Sequence, residues 1–85
     1  MALSDTVWTV YILRCADGSL YTGITNDLEA RLVKHRKGTG AKYTRGRGPF
    51  EVIFTEQQPT KGCALAREAE IKALGRQAKQ ALASA

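Results

Sequence analysis

The chain has 85 residues, 44% of them hydrophobic and 25% charged, and its 13 Lys and Arg against 8 Asp and Glu give a net charge of +5. This composition excludes a disordered polymer and leaves room for one globular domain, residues 1–85, that buries about 60% of its unfolded surface. No apolar run approaches the roughly 20 residues of a membrane span, and "MALSDT" lacks the basic and apolar segments of a secretory signal, so a cytoplasmic protein with no membrane partner is expected.

"TVWTVYILRC" reads as a strand and "LYTGIT" as a second, with "ADGS" between them. "NDLEARLVKHRKG" reads as a helix with Asn26 or Asp27 as N-cap, acidic residues first, basic residues last and Gly38 as its stop. "TGAKYTRGRGP" is a glycine-rich loop and "FEVIFTEQ" a third strand. Thr60 then caps the helix "KGCALAREAEIKAL", and "RQAKQALASA" after Gly75 forms a terminal helix. The order is ββαβα plus a C-terminal helix. It predicts an α+β fold, a three-stranded antiparallel sheet flanked by helices, with its informative core between about residues 6 and 80.

Register decides what the hairpin can do. A two-residue Asp17-Gly18 turn would send Tyr11 and Tyr21 to opposite faces. A three-residue turn, Ala16 to Gly18, pairs Cys15 with Ser19, Leu13 with Tyr21 and Tyr11 with Gly23. The second register gives Gly23 a purpose, because it clears space beside Tyr11, and Gly18 suits the left-handed position of that turn. We therefore expect both tyrosines on one face.

Arg31 and His35 lie one helical turn apart, at the rim of the stripe formed by Leu28 and Leu32. Each has an ordinary explanation, an arginine snorkelling over the core edge and a histidine satisfied by a backbone carbonyl. On the next long helix Ala64, Leu65, Ala69 and Ile71 form an apolar arc, and Glu68 falls inside it. A carboxylate there is costly unless paired, for instance with Arg31, or bound to a divalent cation such as Mg²⁺.

Six of the basic residues crowd into "KHRKGTGAKYTRGR" with no acidic residue among them. Such a stretch is either a solvated loop or a surface for a polyanion, and its density favours nucleic acid. Cys15 and Cys63 make a poor disulfide framework and are expected to be buried or half-buried. With one histidine in the chain, the usual zinc ligand set is missing.

Taken in order, these residues resemble the GIY-YIG nuclease superfamily. "VYI" carries Tyr11, "YTG" carries Tyr21 and Gly23, "RLVKH" carries Arg31 and His35, and "REAEIKAL" carries Glu68. The resemblance runs from about Trp8 to Lys79 and is closest to the small stand-alone bacterial members, which have no attached recognition domain. Val10 stands in place of the first glycine of the family name and Thr22 in place of the isoleucine. No asparagine follows the glutamate helix, where larger members have one.

The resemblance implies metal-dependent hydrolysis of a phosphodiester. Glu68 would hold one Mg²⁺ or Mn²⁺, while Arg31, with His35 as a second donor, would bind phosphate oxygens. Tyr11 would take a proton from the attacking water and Tyr21 would position that water or a phosphate oxygen, with Gly23 keeping room for the phosphate. A tyrosine titrates near ~10, so a base at neutral pH needs cations beside it, and Arg31 and Arg14 are the candidates. Lys34, Lys42, Tyr43, Arg45 and Arg47 would line the approach of the nucleic acid, Tyr43 stacking on an unpaired base. One such set per chain implies a nick in one strand by a monomer or weak homodimer. DNA is favoured over RNA, chosen by structure more than sequence. The competing expectation is a module of the same fold that binds nucleic acid without cutting it, which the missing asparagine favours.

Overall fold

β1 (Trp8–Arg14) and β2 (Leu20–Thr25) pair antiparallel around a turn built by Asp17, whose Oδ1 accepts from the Ser19 amide at 3.0 Å and the Ser19 hydroxyl at 2.6 Å. Those two bonds, with the Arg47 guanidinium beside it, hold the Asp17 carboxyl down at about 2. Gly18 takes φ +86°, Gly18 N–H donates to the Cys15 carbonyl, and Cys15 N–H donates to that of Ser19. This is the three-residue turn, and it sets Tyr11 opposite Gly23 and Leu13 opposite Tyr21. The computed structural model describes residues 7–84.

The chain continues through α1 (Leu28–Lys37), β3 (Glu51–Gln58), α2 (Lys61–Lys72) and α3 (Arg76–Ser84), with a short 3₁₀ turn at Lys42–Thr44 between α1 and β3. The caps are chemical: Asp27 accepts from Ala30 N–H, Thr60 accepts from Cys63 N–H, and Gly38 closes α1 in the left-handed conformation. β3 pairs antiparallel with the other edge of β1, giving the order β2-β1-β3 with a bulge where Ile12 passes to Leu13. The central strand is therefore paired along both edges, and its Val10, Tyr11, Ile12 and Leu13 are fully buried.

The two faces of β1 have different tasks. Val10 and Ile12 join Ala64 and Ile71 of α2 in the apolar core, with Trp8, Leu20, Ile24, Ile53, Phe54 and Leu82 packed around them. Tyr11 and Leu13 point the other way. There α1 supplies its one buried side chain, His35, at 1% exposure. His35 is thus not a rim residue: it is what α1 buries, while Leu28 and Leu32 are only half covered. The apolar arc read on α2 is also narrower than expected. Ala64 and Ile71 are buried, Leu65 and Ala69 face solvent, and the half-buried Glu68 lies between the two buried residues along the helix. Cys15 is buried but Cys63, in the first turn of α2, is exposed, and both are free thiols. Among the described residues no helix is long and apolar enough to cross a membrane.

Candidate active site

The face of β1 away from the core carries a chain of hydrogen bonds that begins at a tyrosine. Tyr11 Oη lies 2.8 Å from His35 Nε2, and His35 Nδ1 lies 2.7 Å from Thr44 Oγ1. The Thr44 hydroxyl spends its single proton on the Ala41 carbonyl at 3.0 Å. It must therefore accept from His35 Nδ1–H, which leaves Nε2 as the acceptor for the Tyr11 hydroxyl. The direction of every bond is fixed by its last member: Tyr11 O–H to His35, His35 N–H to Thr44, Thr44 O–H to the Ala41 carbonyl.

Aromatic contacts hold this chain in place. Tyr21 packs against the His35 ring at 5.3 Å between centroids and against Tyr11 at 6.3 Å, and Phe50 meets the opposite part of the cluster edge-on, 6.0 Å from His35. Gly23 leaves the space that Tyr11 occupies, since a Cβ there would stand 2.6 Å from Tyr11 Oη. The expected space for a phosphate is filled by the phenol itself. Gly40 acts in the same way on the other side: a Cβ there would fall 2.8 Å from His35 Nδ1.

Arg31 sits within electrostatic reach of both phenols. Its interaction with the Tyr11 hydroxyl, and more weakly with Tyr21, raises the guanidinium further above its usual value, and its Nε is buried without a partner. Burial pushes the Tyr11 hydroxyl above the ordinary tyrosine value, and Tyr21 and Glu68 add to that, while Arg31 opposes it. Burial, then the charge of Arg31, pushes His35 below the ordinary histidine value. The sign of the pH dependence follows. An unfolded histidine titrates near ~6.5, so between that value and the lower folded one the unfolded chain binds more protons. This part of the stability is complete above about pH 6.5 and is lost as the pH falls toward the folded value. Chemical denaturation of the wild type should weaken more between about pH 7 and pH 5 than that of His35→Gln. Equal losses in the two proteins would mean that His35 is not held neutral.

The remaining candidates divide. Tyr11, Tyr21, Arg31 and His35 come together. His35 is not placed as a phosphate donor, because both ring nitrogens are already engaged. Glu68 has a side-chain exposure of 17% and pairs with Lys72 at 3.3 Å, one turn along α2, and not with Arg31. Arg14 projects to the face opposite Tyr11 and pairs with Glu51, so it lies apart from the tyrosines it was expected to acidify.

Two of the loop cations are engaged by the loop's own backbone and by the hairpin turn. Arg45 Nε donates to the Gly38 carbonyl at 3.3 Å, and Arg47 Nε donates to that of Tyr43 at 2.7 Å. Arg47 also pairs with Asp17 and lies 4.6 Å from the centre of the Tyr43 ring, which stacks on Tyr21 at 5.8 Å. Tyr43 is thus already engaged and ties the loop to the site. Lys34 and Lys42 remain exposed. Thr44, Gly40 and Phe50 carry no motif that marks them. They become visible only when the loop folds back onto His35.

Glu68 is the carboxylate available to a divalent ion. Among the described residues no group of three or more His, Cys, Asp and Glu could surround a metal. A single carboxylate fits an ion that keeps most of its water and completes its shell with substrate oxygens, as Mg²⁺ does.

Residues 7–81 match the model of the GIY-YIG catalytic domain. The UPF0213 protein BH0048 of Halalkalibacterium halodurans is 53% identical over 75 residues, 88% of this chain and 80% of that protein. The UPF0213 protein OB0043 of Oceanobacillus iheyensis is 60% identical over 67 residues, covering 79% and 78%. Solution structures of BH0048 from Bacillus halodurans and of EF2693 from E. faecalis superpose with TM-scores of 0.60 and 0.63, at 51% and 42% identity. Each covers 92% of this chain, and 83% and 84% of theirs. A match across nearly the whole fold, the two tyrosine strands included, leaves one assignment: this chain belongs to the GIY-YIG family.

Proposed function

We propose that this protein is a divalent-metal-dependent endonuclease that hydrolyses phosphodiester bonds in nucleic acid, DNA before RNA, choosing its substrate by structure. The observation that carries this reading is the directed chain from Tyr11 through His35 to Thr44, set beside Arg31.

Burial keeps Tyr11 protonated at neutral pH, so it cannot act as a free phenolate. It needs none, because its proton already points at a neutral imidazole. As the water oxygen bonds to phosphorus, the water proton passes to Tyr11 Oη, which is fully buried in the free protein and must be uncovered as the substrate seats beside Arg31, and the Tyr11 proton passes to His35 Nε2, whose Nδ1–H stays hydrogen-bonded to Thr44. The phosphorus bond to the departing sugar oxygen breaks in the same displacement. Arg31 neutralises charge gathering on the non-bridging oxygens, and Tyr21 positions the water or one of those oxygens. Glu68 would hold Mg²⁺ or Mn²⁺, and such an ion, when bound, supplies a Lewis acid for the phosphate and the leaving oxygen.

One observation favours the alternative of a non-catalytic binding module: Glu68 has no second metal-ligating side chain grouped with it among the described residues. Labelled single-stranded, duplex and branched DNA, with RNA counterparts, should decide between them when incubated with Mg²⁺, with Mn²⁺ and with chelator. Product that requires the metal supports the nuclease. Tight binding that survives chelation and yields no product in any arm replaces it with the binding module.

A further inference from the structure

Arg31 also lines a feature that the tyrosine cluster does not use. An open cavity of about 420 Å³ lies between the start of β1, the end of β2, the Ala30–Lys34 stretch of α1 and the first residue of α2. Its chemistry comes from Trp8, Asn26, Arg31, Lys34 and Lys61. Trp8 is half-buried against the core, and Lys61 Nζ stands 5.3 Å from the centre of its ring. Lys34 and Lys61 are exposed, and neither forms an ion pair among the described residues. The one carboxylate on the wall, Asp27, accepts at its Oδ1 from the Ala30 amide as the cap of α1.

The contrast with the basic loop is the point. Arg47 pairs with Asp17 and the exposed Arg45 gives its Nε–H to a carbonyl, whereas the cavity gathers three cations, none in an ion pair among the described residues and one with a buried unpartnered Nε, around a flat aromatic ring. Phosphates complement the cations, and a base or sugar complements the indole. The volume lies within the range of about 300–1,000 Å³ usual for small-ligand sites. We propose that this cavity receives the nucleotide next to the scissile phosphate of a single strand. Trp8 packs on its base or sugar, Lys34 and Lys61 take the flanking phosphates, and Arg31 is shared with the tyrosine cluster. The strand then passes the mouth of this cavity, beside α1 and Lys61, and not the Lys42–Arg47 loop. This assignment deepens the proposed function and rests on nucleic acid being the ligand, but not on its being cut.

Trp8 is the only tryptophan of the chain, so its emission reports on this cavity. Metal-free protein in chelator is titrated with a short oligodeoxythymidylate and, separately, with thymidine monophosphate. Trp8 fluorescence is followed together with the anisotropy of labelled oligonucleotide. Saturable quenching that tracks anisotropy is expected. The double variant Lys34→Ala/Lys61→Ala should bind the oligonucleotide about ten-fold more weakly with a shallower salt dependence, and Lys79→Ala, which removes one charge on α3, about two-fold at most. All three lysines are partly or fully exposed, so folding is not at issue.

Oligonucleotide binding with unchanged Trp8 emission, and a double variant no weaker than Lys79→Ala, would overturn the cavity assignment and leave the nuclease standing. Quenching by the mononucleotide alone would overturn the strand path. Quenching and weakened binding as expected, in a protein that yields no product with either metal, would keep the cavity and remove the nuclease.

Discussion

Tyr11→Phe should lower metal-dependent cleavage by about 10³-fold while leaving oligonucleotide affinity within about two-fold. The change deletes one oxygen and keeps the ring, so the packing against Tyr21 and His35 survives. What disappears is the acceptor for the water proton and its route to His35 Nε2. The same deletion leaves His35 Nε2 without a partner in a fully buried position, at a cost of about 1–3 kcal/mol. Lost rate and lost stability should therefore come together. Glu68→Ala separates them. Its carboxylate pairs only with a half-exposed Lys72, an interaction of about 0–1 kcal/mol, so cleavage should vanish while the denaturation midpoint stays put. Single-turnover rates and urea denaturation of the three proteins check both statements. Undiminished cleavage by Tyr11→Phe would mean that water loses its proton elsewhere. Cleavage that survives Glu68→Ala would point to a different metal position or to a contaminant.

Gly23→Ala should cost nearly as much through a single methyl group. The new Cβ would meet Tyr11 Oη at 2.6 Å, Tyr11 Cζ at 2.7 Å and Tyr21 Cε2 at 3.0 Å. Tyr11 is fully buried and its hydroxyl is bonded to His35 on the far side, so the ring has nowhere to retreat without breaking that bond. Overpacking of this kind costs about 1–3 kcal/mol. Moving a reacting group by about 1 Å costs on the order of 10²-fold in rate. Because the effect acts through the Tyr11 hydroxyl, Gly23→Ala added to Tyr11→Phe should slow cleavage far less than the product of the single losses. Full multiplicativity would show that Gly23 matters for another reason, such as direct approach of the substrate.

The frame of this fold was legible because local chemistry writes it. Asp27, Gly38 and Thr60 end or begin helices where side-chain oxygens and a left-handed glycine say they must. Gly23 decided the hairpin register, since the three-residue turn sets it opposite Tyr11, where the absence of a side chain clears space for the ring. Periodicity carried less well where it needed knowledge of a partner. On α2, Leu65 and Ala69 looked as apolar as Ala64 and Ile71, but the sheet covers only a narrow stripe of the helix, and the half-buried Glu68 lies along that stripe between Ala64 and Ile71. His35 looked marginal on its own helix because its surroundings come from elsewhere, Tyr11 from β1 and Thr44 from a loop nine residues on. The Lys42–Arg47 segment was read by its charge. The Gly38 and Tyr43 carbonyls and Asp17, which engage Arg45 and Arg47, have no signature in a linear pattern.

The bonds that begin at Tyr11 end on the backbone of the loop that leads into that segment, at the Ala41 carbonyl. Gly40 lets the main chain come close enough for this, and Arg47 and Asp17 fasten the segment to the hairpin turn. Under the proposed mechanism, turnover would therefore be set in part by a connector that holds no reacting group. Its length and stiffness can be edited without touching the tyrosines, the arginine or the glutamate. A small scaffold of this kind can be retuned from fast to slow by an insertion or deletion in one surface turn, and an inventory of intact motifs would register no difference.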